Sequence, residues 1–225
     1  MKWVIPVAEL APEDRGRVGG KAYVLSRLYK GGYAVPGTLC ITTAAYTDYL
    51  DRTGLRERIQ AEIRRKEFSE MRWEEMWDCA LRIRHMFSRK PLPGEMAAEI
   101  GRSVVAVFGD QPVAVRSSAV DEDTAAHSFA GIHESFINIK GDNEIVNHLR
   151  RVWASLWSDA ALLYRHEIGL DVQTSAMAVV IQEVINGESS GIAFTKSPTK
   201  GGQGIVEAVH GLNQALVDGM VEPDR

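Results

Sequence analysis

The stretch that decides the fold runs from Val113 to Phe136 and reads VAVRSSAVDEDTAAHSFAGIHESF. An apolar strand leads into a basic, hydroxyl-rich turn, and an acidic loop with a glycine follows. Arg116 is a fork-shaped cation suited to phosphate oxygens, and Ser117 and Ser118 supply hydroxyl donors. Gly131 lets backbone amides approach an anion without an intervening side chain. The pattern indicates phosphate recognition, although a strand end with a solvated arginine would look the same in isolation.

A second phosphate-like element lies near the amino terminus, at Val18-Gly19-Gly20-Lys21, where a helix is predicted to begin. Paired glycines before a helix expose backbone N–H groups at its positive end, and Lys21 adds a mobile cation. The segment is not a Walker A loop, because Arg15 and Ala22 stand where that motif needs glycine and Ser or Thr. Taken alone, it fits a glycine turn with a surface lysine equally well.

The composition is typical of a globular domain with an ample core. The chain has 225 residues, of which 45% are hydrophobic and 25% charged, and its net charge is -4. Neither disorder nor a polybasic nucleic-acid surface is expected. Cys40 and Cys79 lack metal or CxxC spacing, so we expect buried, reduced thiols and a cytoplasmic protein. The longest apolar run, Ala176 to Ile181, is too short to span a membrane, and no membrane partner is expected.

Before residue 93 the apolar pattern is helical. One predicted helix carries Leu55, Ile59 and Ile63, and the next carries Trp73, Met76, Trp77, Ala80, Ile83 and Phe87. Aromatic stripes of this kind are usually core, so Trp73 and Trp77 are predicted to pack inside the protein. A further helix is predicted after Pro93, with a stop near Gly109.

After residue 110 strands dominate. They are predicted from Val113 to Val115, Ile132 to Ile139, Ala176 to Ile185, Gly191 to Thr195 and Gly204 to Val209, with a helix starting near Asp142. The alternation of strands and helices is too irregular for a doubly wound fold. We therefore predict an α+β fold with antiparallel sheet, helix-rich over about 1–110 and strand-rich over about 111–225.

Seven segments together resemble the amino-terminal ATP-binding domain of the phosphoenolpyruvate synthase and pyruvate phosphate dikinase family, which includes rifamycin phosphotransferases. In chain order they are VGGKAYVLSRLYKGGYAVPGTLCITTAAYTDYL, AVRSSAVDED, SFAGIHESFINI, RVWASLWSDAALLYR, AVVIQEVI, SGIAFTKSP and GLNQALVDGMVEPDR. The resemblance covers most of the chain. It implies an ATP-grasp fold, which holds the nucleotide between two α+β lobes, and it implies ATP and Mg²⁺ as cofactors.

The resemblance also implies roles for individual residues. Lys21 and Arg116 match cationic contacts to the nucleotide phosphates. Gly131 and Ser135 match a mobile loop that closes over those phosphates, with threonine common in the family at the serine. Gln182, Glu183 and Val184 match a hinge that offers backbone groups and a side-chain amide to adenine.

Other polar features carry less weight. Asp121, Glu122 and Asp123 are adjacent acids, which more often form a solvated loop than a metal site. His127 and His133 flank the presumed loop over the phosphates and are weak candidates for nucleotide contacts.

Several departures from the family pattern leave a second reading open. Gln214 stands where glutamate is usual, Ile132 replaces a common glutamine, and Lys196-Ser197 replaces an acidic residue before proline. We expect the metal ligands beyond Arg225, and the phosphorylated histidine and the acceptor site on further domains. The fragment alone is then expected to be inactive. The alternative is a degenerate nucleotide-sensing or partner-binding module without catalysis.

Overall fold

The fold was obtained as a computed structural model that describes residues 2–120, 131–170, 175–196, 203–217 and 219–224, and the backbone of 123–124 and 127–128. The helices are α1 (Arg15–Lys30), α2 (Thr43–Thr53), α3 (Leu55–Ile63), α4 (Trp73–Arg89), α5 (Gly94–Phe108), α6 (Asp142–Ser155), α7 (Asp159–Glu167) and α8 (Gln214–Val217). Short 3₁₀ turns occupy Val7–Glu9, Pro12–Asp14 and Phe68–Glu70. None of the described helices is both long and apolar enough to cross a membrane.

The strands are β1 (Val4–Pro6), β2 (Thr38–Ile41), β3 (Val113–Ala119), β4 (Asp123–Thr124), β5 (His127–Ser128), β6 (Ser135–Ile139), β7 (Met177–Glu183), β8 (Ser189–Phe194) and β9 (Ile205–His210). Five of them form one sheet in the order β1-β2-β7-β3-β6, and every pair in it is antiparallel. The predicted mixture of helices with an antiparallel sheet is thus confirmed.

The edges of this sheet are irregular. The edge strand β1 has three residues and ends in Pro6, which has no backbone N–H. At the other edge, the pairing of β6 with β3 shifts register between Val113 and Val115. Asn138 of β6 has a positive φ of 59°, which is rare outside glycine.

The two faces of the sheet bury different partners because side chains alternate along a strand. On one face, Val113 and Val115 join a large apolar cluster with residues of α2 to α6. On the other face, Val180 and Cys40 join a smaller cluster with α1. Because a hydrophobic cluster covers each face, the sheet forms the middle layer between α1 on one side and helices α2 to α6 on the other.

The predicted stripe on α4 is only partly buried. Met76, Ala80, Ile83 and Phe87 belong to the core, as do Leu55, Ile59 and Ile63 of α3. The prediction that Trp73 and Trp77 pack inside the protein was wrong, because their relative exposures are 66% and 42%. Helices α3, α6 and α7, which pack against α4, cover an arc that stops short of these two side chains.

Both cysteines are buried and unpaired by disulfide, as predicted. Burial raises the pKa of the Cys40 thiol, and Asp14 nearby adds to the effect. The Cys40 Sγ lies 3.8 Å from the carbonyl oxygen of Val18 in α1. The thiol therefore remains protonated and packs as a small apolar group.

The chain divides into two compact units, residues 1–184 and 185–225. In the second unit, β8 and β9 form an antiparallel hairpin, which Asp224 extends by an isolated bridge to Ala208. Gly191 of β8 is required there, because a Cβ would lie 2.4 Å from the carbonyl oxygen of Glu207.

Candidate functional site

Helix α1 is interrupted at Gly19, and a serine from the sheet occupies the break. Gly19 has φ 72° and ψ 175°, so a new helical segment begins at Gly20. The Ser118 hydroxyl donates to the carbonyl oxygen of Val18 at 2.8 Å and accepts from the amide of Ala22 at 3.2 Å. Ser118 thus caps a helix that lies 96 residues away in sequence. We call this arrangement the serine clasp.

Only glycine fits at the break. A Cβ on residue 19 would lie 2.0 Å from the backbone oxygen of Ser118, and the positive φ disfavours any other residue. This close approach brings the Gly-Gly-Lys element directly against the strand that carries Arg116. The two phosphate-like elements of the sequence therefore lie side by side.

Arg116 and Ser135 face each other across neighbouring strands. Arg116 pairs with Ser135 on β6 and with Val180 on β7. Opposite residues in a ladder share a face, and alternation puts Ser118 on that face too. Both Arg116 and Ser135 are exposed. A cation and a hydroxyl thus stand beside the helix start on an open part of the sheet.

The segment from Gly131 to Ser135, called the lid segment here, connects this face with the helices. Gly131 has φ 76°, and a side chain there would meet no described atom within 4 Å. Burial of His133 lowers its pKa to about 4, and the charges of Arg165 and Lys21 act in the same direction, while a hydrogen bond to the Ser155 backbone opposes them. His133 therefore lies near Lys21 and is neutral at pH 7.

The low pKa of His133 predicts a pH-dependent stability. The ordinary value is 6.5 and the folded value about 4, so between these values the unfolded chain binds a proton that the folded chain does not. The free energy of unfolding should therefore fall as the pH falls from 6.5 towards 4. Urea unfolding at pH 7 and pH 5 should show a smaller difference in His133→Gln than in the wild type. The matched change His85→Gln, at an exposed ring, should leave the difference unaltered; equal behaviour of both variants would contradict the assignment.

Gln182 extends the polar face along β7. It pairs with Thr38 of β2 and Ala114 of β3, and its Nε2 donates to Thr38 Oγ1 at 3.0 Å. It lies two positions along the strand from Val180, the partner of Arg116, which is a distance of about 7 Å. Gln182 and Arg116 thus lie on the same face at neighbouring levels of the sheet.

The backbone donors that follow Gln182 are engaged within the protein. The amide of Glu183 donates to the carbonyl of Gly37 at 3.0 Å, and that of Val184 to the carbonyl of Pro112 at 3.1 Å. A ligand at this segment would therefore meet the side-chain amide of Gln182 and backbone carbonyls. The sequence suggested that the Ser118 hydroxyl contacts phosphate, but this hydroxyl is buried and engaged in the serine clasp. The capping by Ser118 and the contact of Thr38 were not predicted, since both depend on contacts between distant segments.

Comparison with protein families matches residues 15–225 to the pyruvate phosphate dikinase, AMP/ATP-binding domain. The chain belongs to this family. The serine clasp, Lys21 and Arg116 all lie within the matched region.

Relatives of this chain include proteins named phosphoenolpyruvate synthase and rifampicin phosphotransferase. The chain is 38% identical to a phosphoenolpyruvate synthase from Aeropyrum pernix over 92% of its length, which is 26% of that protein. It is 31% identical to a probable phosphoenolpyruvate synthase from Staphylothermus marinus over 99% of its length, or 28% of that protein. A rifampicin phosphotransferase from a Streptomyces species is 34% identical over 98% of this chain and 26% of its own length. The chain therefore spans about a quarter of these relatives.

Some predicted features of the domain fall outside the structural description. Asp121, Glu122 and Ser197 lie outside the described residues, and only the backbone of Asp123 and His127 is described. Gln214 is the first residue of α8 in the second unit. Within the described residues, no three His, Cys, Asp or Glu side chains come together as metal ligands.

An open cleft of about 750 Å³ lies away from these residues. Its lining includes Trp3, Arg17, Asp48, Arg52 and Glu95. It is larger than the groove described below, but its cations are already paired with carboxylates, as in the Arg52 contacts to Asp48 and Glu95 at 3.1 Å. Chemistry rather than size therefore identifies the face with Lys21 and Arg116 as the candidate site.

Proposed function

We propose that the face carrying Lys21, Arg116 and Gln182 binds ATP in an ATP-grasp arrangement. In this proposal the chain is the ATP-binding portion of a dikinase-type phosphotransferase. ATP bound here phosphorylates a histidine on a separate domain, from which the phosphoryl group passes to pyruvate or a similar acceptor. The serine clasp carries the proposal, because it joins a helix start and two cations on one open face.

The phosphate end of the nucleotide is assigned to the helix start and its neighbours. The positive end of the helix dipole after Gly19 favours an anion nearby, although the Ala22 amide itself is taken by Ser118. Lys21 contributes a point charge, and the fork of Arg116 suits two phosphate oxygens. Ser135 adds a hydroxyl on the same face. These groups supply the positioning and the charge stabilisation on which phosphoryl transfer depends.

The lid segment is assigned to closure over the phosphates. Gly131 has open space around it, and a positive φ there lets the backbone turn without a side chain. His133 is held near Lys21 in its neutral form. Because the pKa of His133 is about 4, the segment adds no charge of its own at neutral pH, and its backbone amides are the groups assigned to approach the phosphates.

The base end is assigned to Gln182 and the carbonyls that follow it. Adenine presents both a donor amino group and ring acceptors, and a side-chain amide complements both. Thr38 fixes the orientation of this amide by accepting from Nε2. Ser118 and Ala114, the β3 partner of Gln182, are four positions apart on the strand, which corresponds to about 14 Å. This length suits an extended nucleotide with its phosphates at the helix start.

Magnesium would neutralise phosphate charge during transfer. The described side chains do not form a set that would hold it, so no step is assigned to the metal.

The test is a calorimetric titration with Mg-ATP. Lys21→Ala and Arg116→Ala should each weaken binding by about tenfold or more, because each removes a charge-assisted hydrogen bond to phosphate. Arg102→Ala, at an exposed arginine on α5, serves as the matched control and should bind like the wild type. Wild-type affinity in Lys21→Ala and Arg116→Ala, with folding confirmed by urea unfolding, would refute the assignment of the phosphate end.

A further inference from the structure

Helix α4 carries an exposed face that its core contacts do not use. With 100° between successive residues, Trp73, Trp77, Leu81, Arg84 and Ser88 fall within about 80° of one another. Trp73 and Trp77 are 66% and 42% exposed, and Leu81 is 44% exposed. Three large apolar side chains in a row on one face exceed the scattered exposure that is normal for a protein surface.

The carboxyl-terminal half of this face forms one wall of a groove. The groove has a volume of about 460 Å³ and runs between α4 and α6. Its lining residues are Leu81, Arg84, His85, Phe87, Ser88, Glu134, Asn147, Arg150, Arg151 and Ala154. From Trp73 to Ser88 the face is about 22 Å long, at 1.5 Å per residue. The groove and the tryptophan stripe together are called the α4 groove.

The groove lies on the opposite side of the sheet from Arg116. Arg151 covers the ring of Phe136 at 4.2 Å, and Phe136 packs with the large core cluster. Phe136 follows Ser135 directly, so the two side chains of β6 point to opposite faces. The α4 groove is therefore separate from the candidate nucleotide face.

One end of the groove is basic. Arg84, Arg150 and Arg151 line it together with one carboxylate, Glu134. Arg150 is fixed in place, since it donates to the carbonyls of Phe87 and Lys90 at the end of α4. Three guanidinium groups against one carboxylate give this end of the groove a positive charge, which favours an occupant that supplies carboxylates.

We propose that the α4 groove docks an amphipathic helix of another polypeptide segment, with apolar side chains on Trp73, Trp77 and Leu81 and acidic side chains near Arg84 and Arg151. A small anion would engage the basic end alone and leave the tryptophans exposed. A helix of about 15 residues matches the length of the face, and helix-in-groove recognition uses this geometry. The relatives have most of their length outside the matched region, so longer proteins of this family contain further segments.

Two peptides test the proposal in the absence of nucleotide. Each has about 18 residues, to cover the length of the groove, with leucines at helical spacing and glutamates clustered in the amino-terminal or the carboxyl-terminal half. Fluorescence anisotropy of the labelled peptides measures binding to the chain. At least one glutamate peptide should bind saturably, and its counterpart with lysine for glutamate should not.

Variants locate the binding. Trp77→Ala and Arg84→Glu should each weaken peptide binding by about tenfold or more, because they remove an aromatic anchor and reverse a charge. Val105→Ala and Arg102→Glu make matched changes on the exposed surface of α5 and should leave binding within about twofold.

Four results would overturn the proposal. The first is that neither glutamate peptide binds, and the second is that the lysine peptide binds equally well. The third is that inorganic phosphate competes for binding in a way that Trp77→Ala does not affect, because this would indicate a small-anion site. The fourth is a dimer of the free chain in sedimentation that Trp77→Ala dissociates, which would assign the tryptophan stripe to a second copy.

Discussion

Replacing Gly19 with alanine is expected to lower the free energy of unfolding by about 3 kcal/mol and to abolish nucleotide binding. With φ 72° and ψ 175°, Gly19 lies in a backbone region essentially restricted to glycine, which costs another residue about 1–3 kcal/mol. The new Cβ would also lie 2.0 Å from the Ser118 oxygen, so the backbone must move and both hydrogen bonds of the serine clasp are strained. Each such bond contributes about 1 kcal/mol. Urea unfolding gives the stability, and Mg-ATP titration of the folded variant gives the binding.

Two matched glycines separate these causes. Gly32 has φ 82° with no described atom within 4 Å of its Cβ position, so Gly32→Ala should show the backbone cost alone, about 1 kcal/mol. Gly16 has open space and no positive φ, so Gly16→Ala should be neutral or slightly stabilising in its helix. If Gly19→Ala is no less stable than Gly32→Ala, the close contact with Ser118 is not a constraint on the fold.

Replacing Trp153 with alanine should lower the free energy of unfolding by about 4 kcal/mol, in the range for large buried aromatics. Trp153 is fully buried, and its Nε1 donates to the carbonyl of Met177 on β7 at 3.1 Å. Its ring stacks on Tyr49 with centroids 5.3 Å apart, and an edge contact at 5.7 Å joins it to Tyr46. The substitution leaves a cavity between α6 and the sheet and an unsatisfied carbonyl.

Trp73→Ala is the matched control, since it makes the same chemical change at a side chain that is 66% exposed. Its free energy of unfolding should stay within about 0.5 kcal/mol of the wild-type value. Urea unfolding followed by circular dichroism measures both variants without relying on tryptophan fluorescence. Comparable losses in the two variants would show that Trp73 is packed in solution.

The error at Trp73 and Trp77 has a physical origin in helix geometry. The buried residues of α4 fall within an arc of about 100°, and the exposed tryptophans begin about 20° beyond it. A sequence pattern shows one broad apolar stripe and does not show where the neighbouring helices end. The width of the covered arc is a property of tertiary packing, which periodicity alone cannot supply.

The parts of the candidate site that depend on residues close together in the sequence could be predicted. Arg116 and the Gly-Gly-Lys element suggested phosphate contacts because charge and glycine spacing are visible in a short segment. Their junction was not predictable, because the hydrogen bonds of Ser118 connect positions 96 and 100 residues apart. The contact of Gln182 with Thr38 depends likewise on the register of two strands that are distant in sequence.

The irregular edges of the five-stranded sheet have a consequence for solubility. Exposed strand edges are templates on which further strands can pair, and long, flat edges promote aggregation. Here Pro6 removes a donor from the short strand at one edge, and Asn138 with its shift in register bends the strand at the other. Growth of this sheet from molecule to molecule is thus opposed at both sides by backbone geometry, without any need for charged gatekeepers.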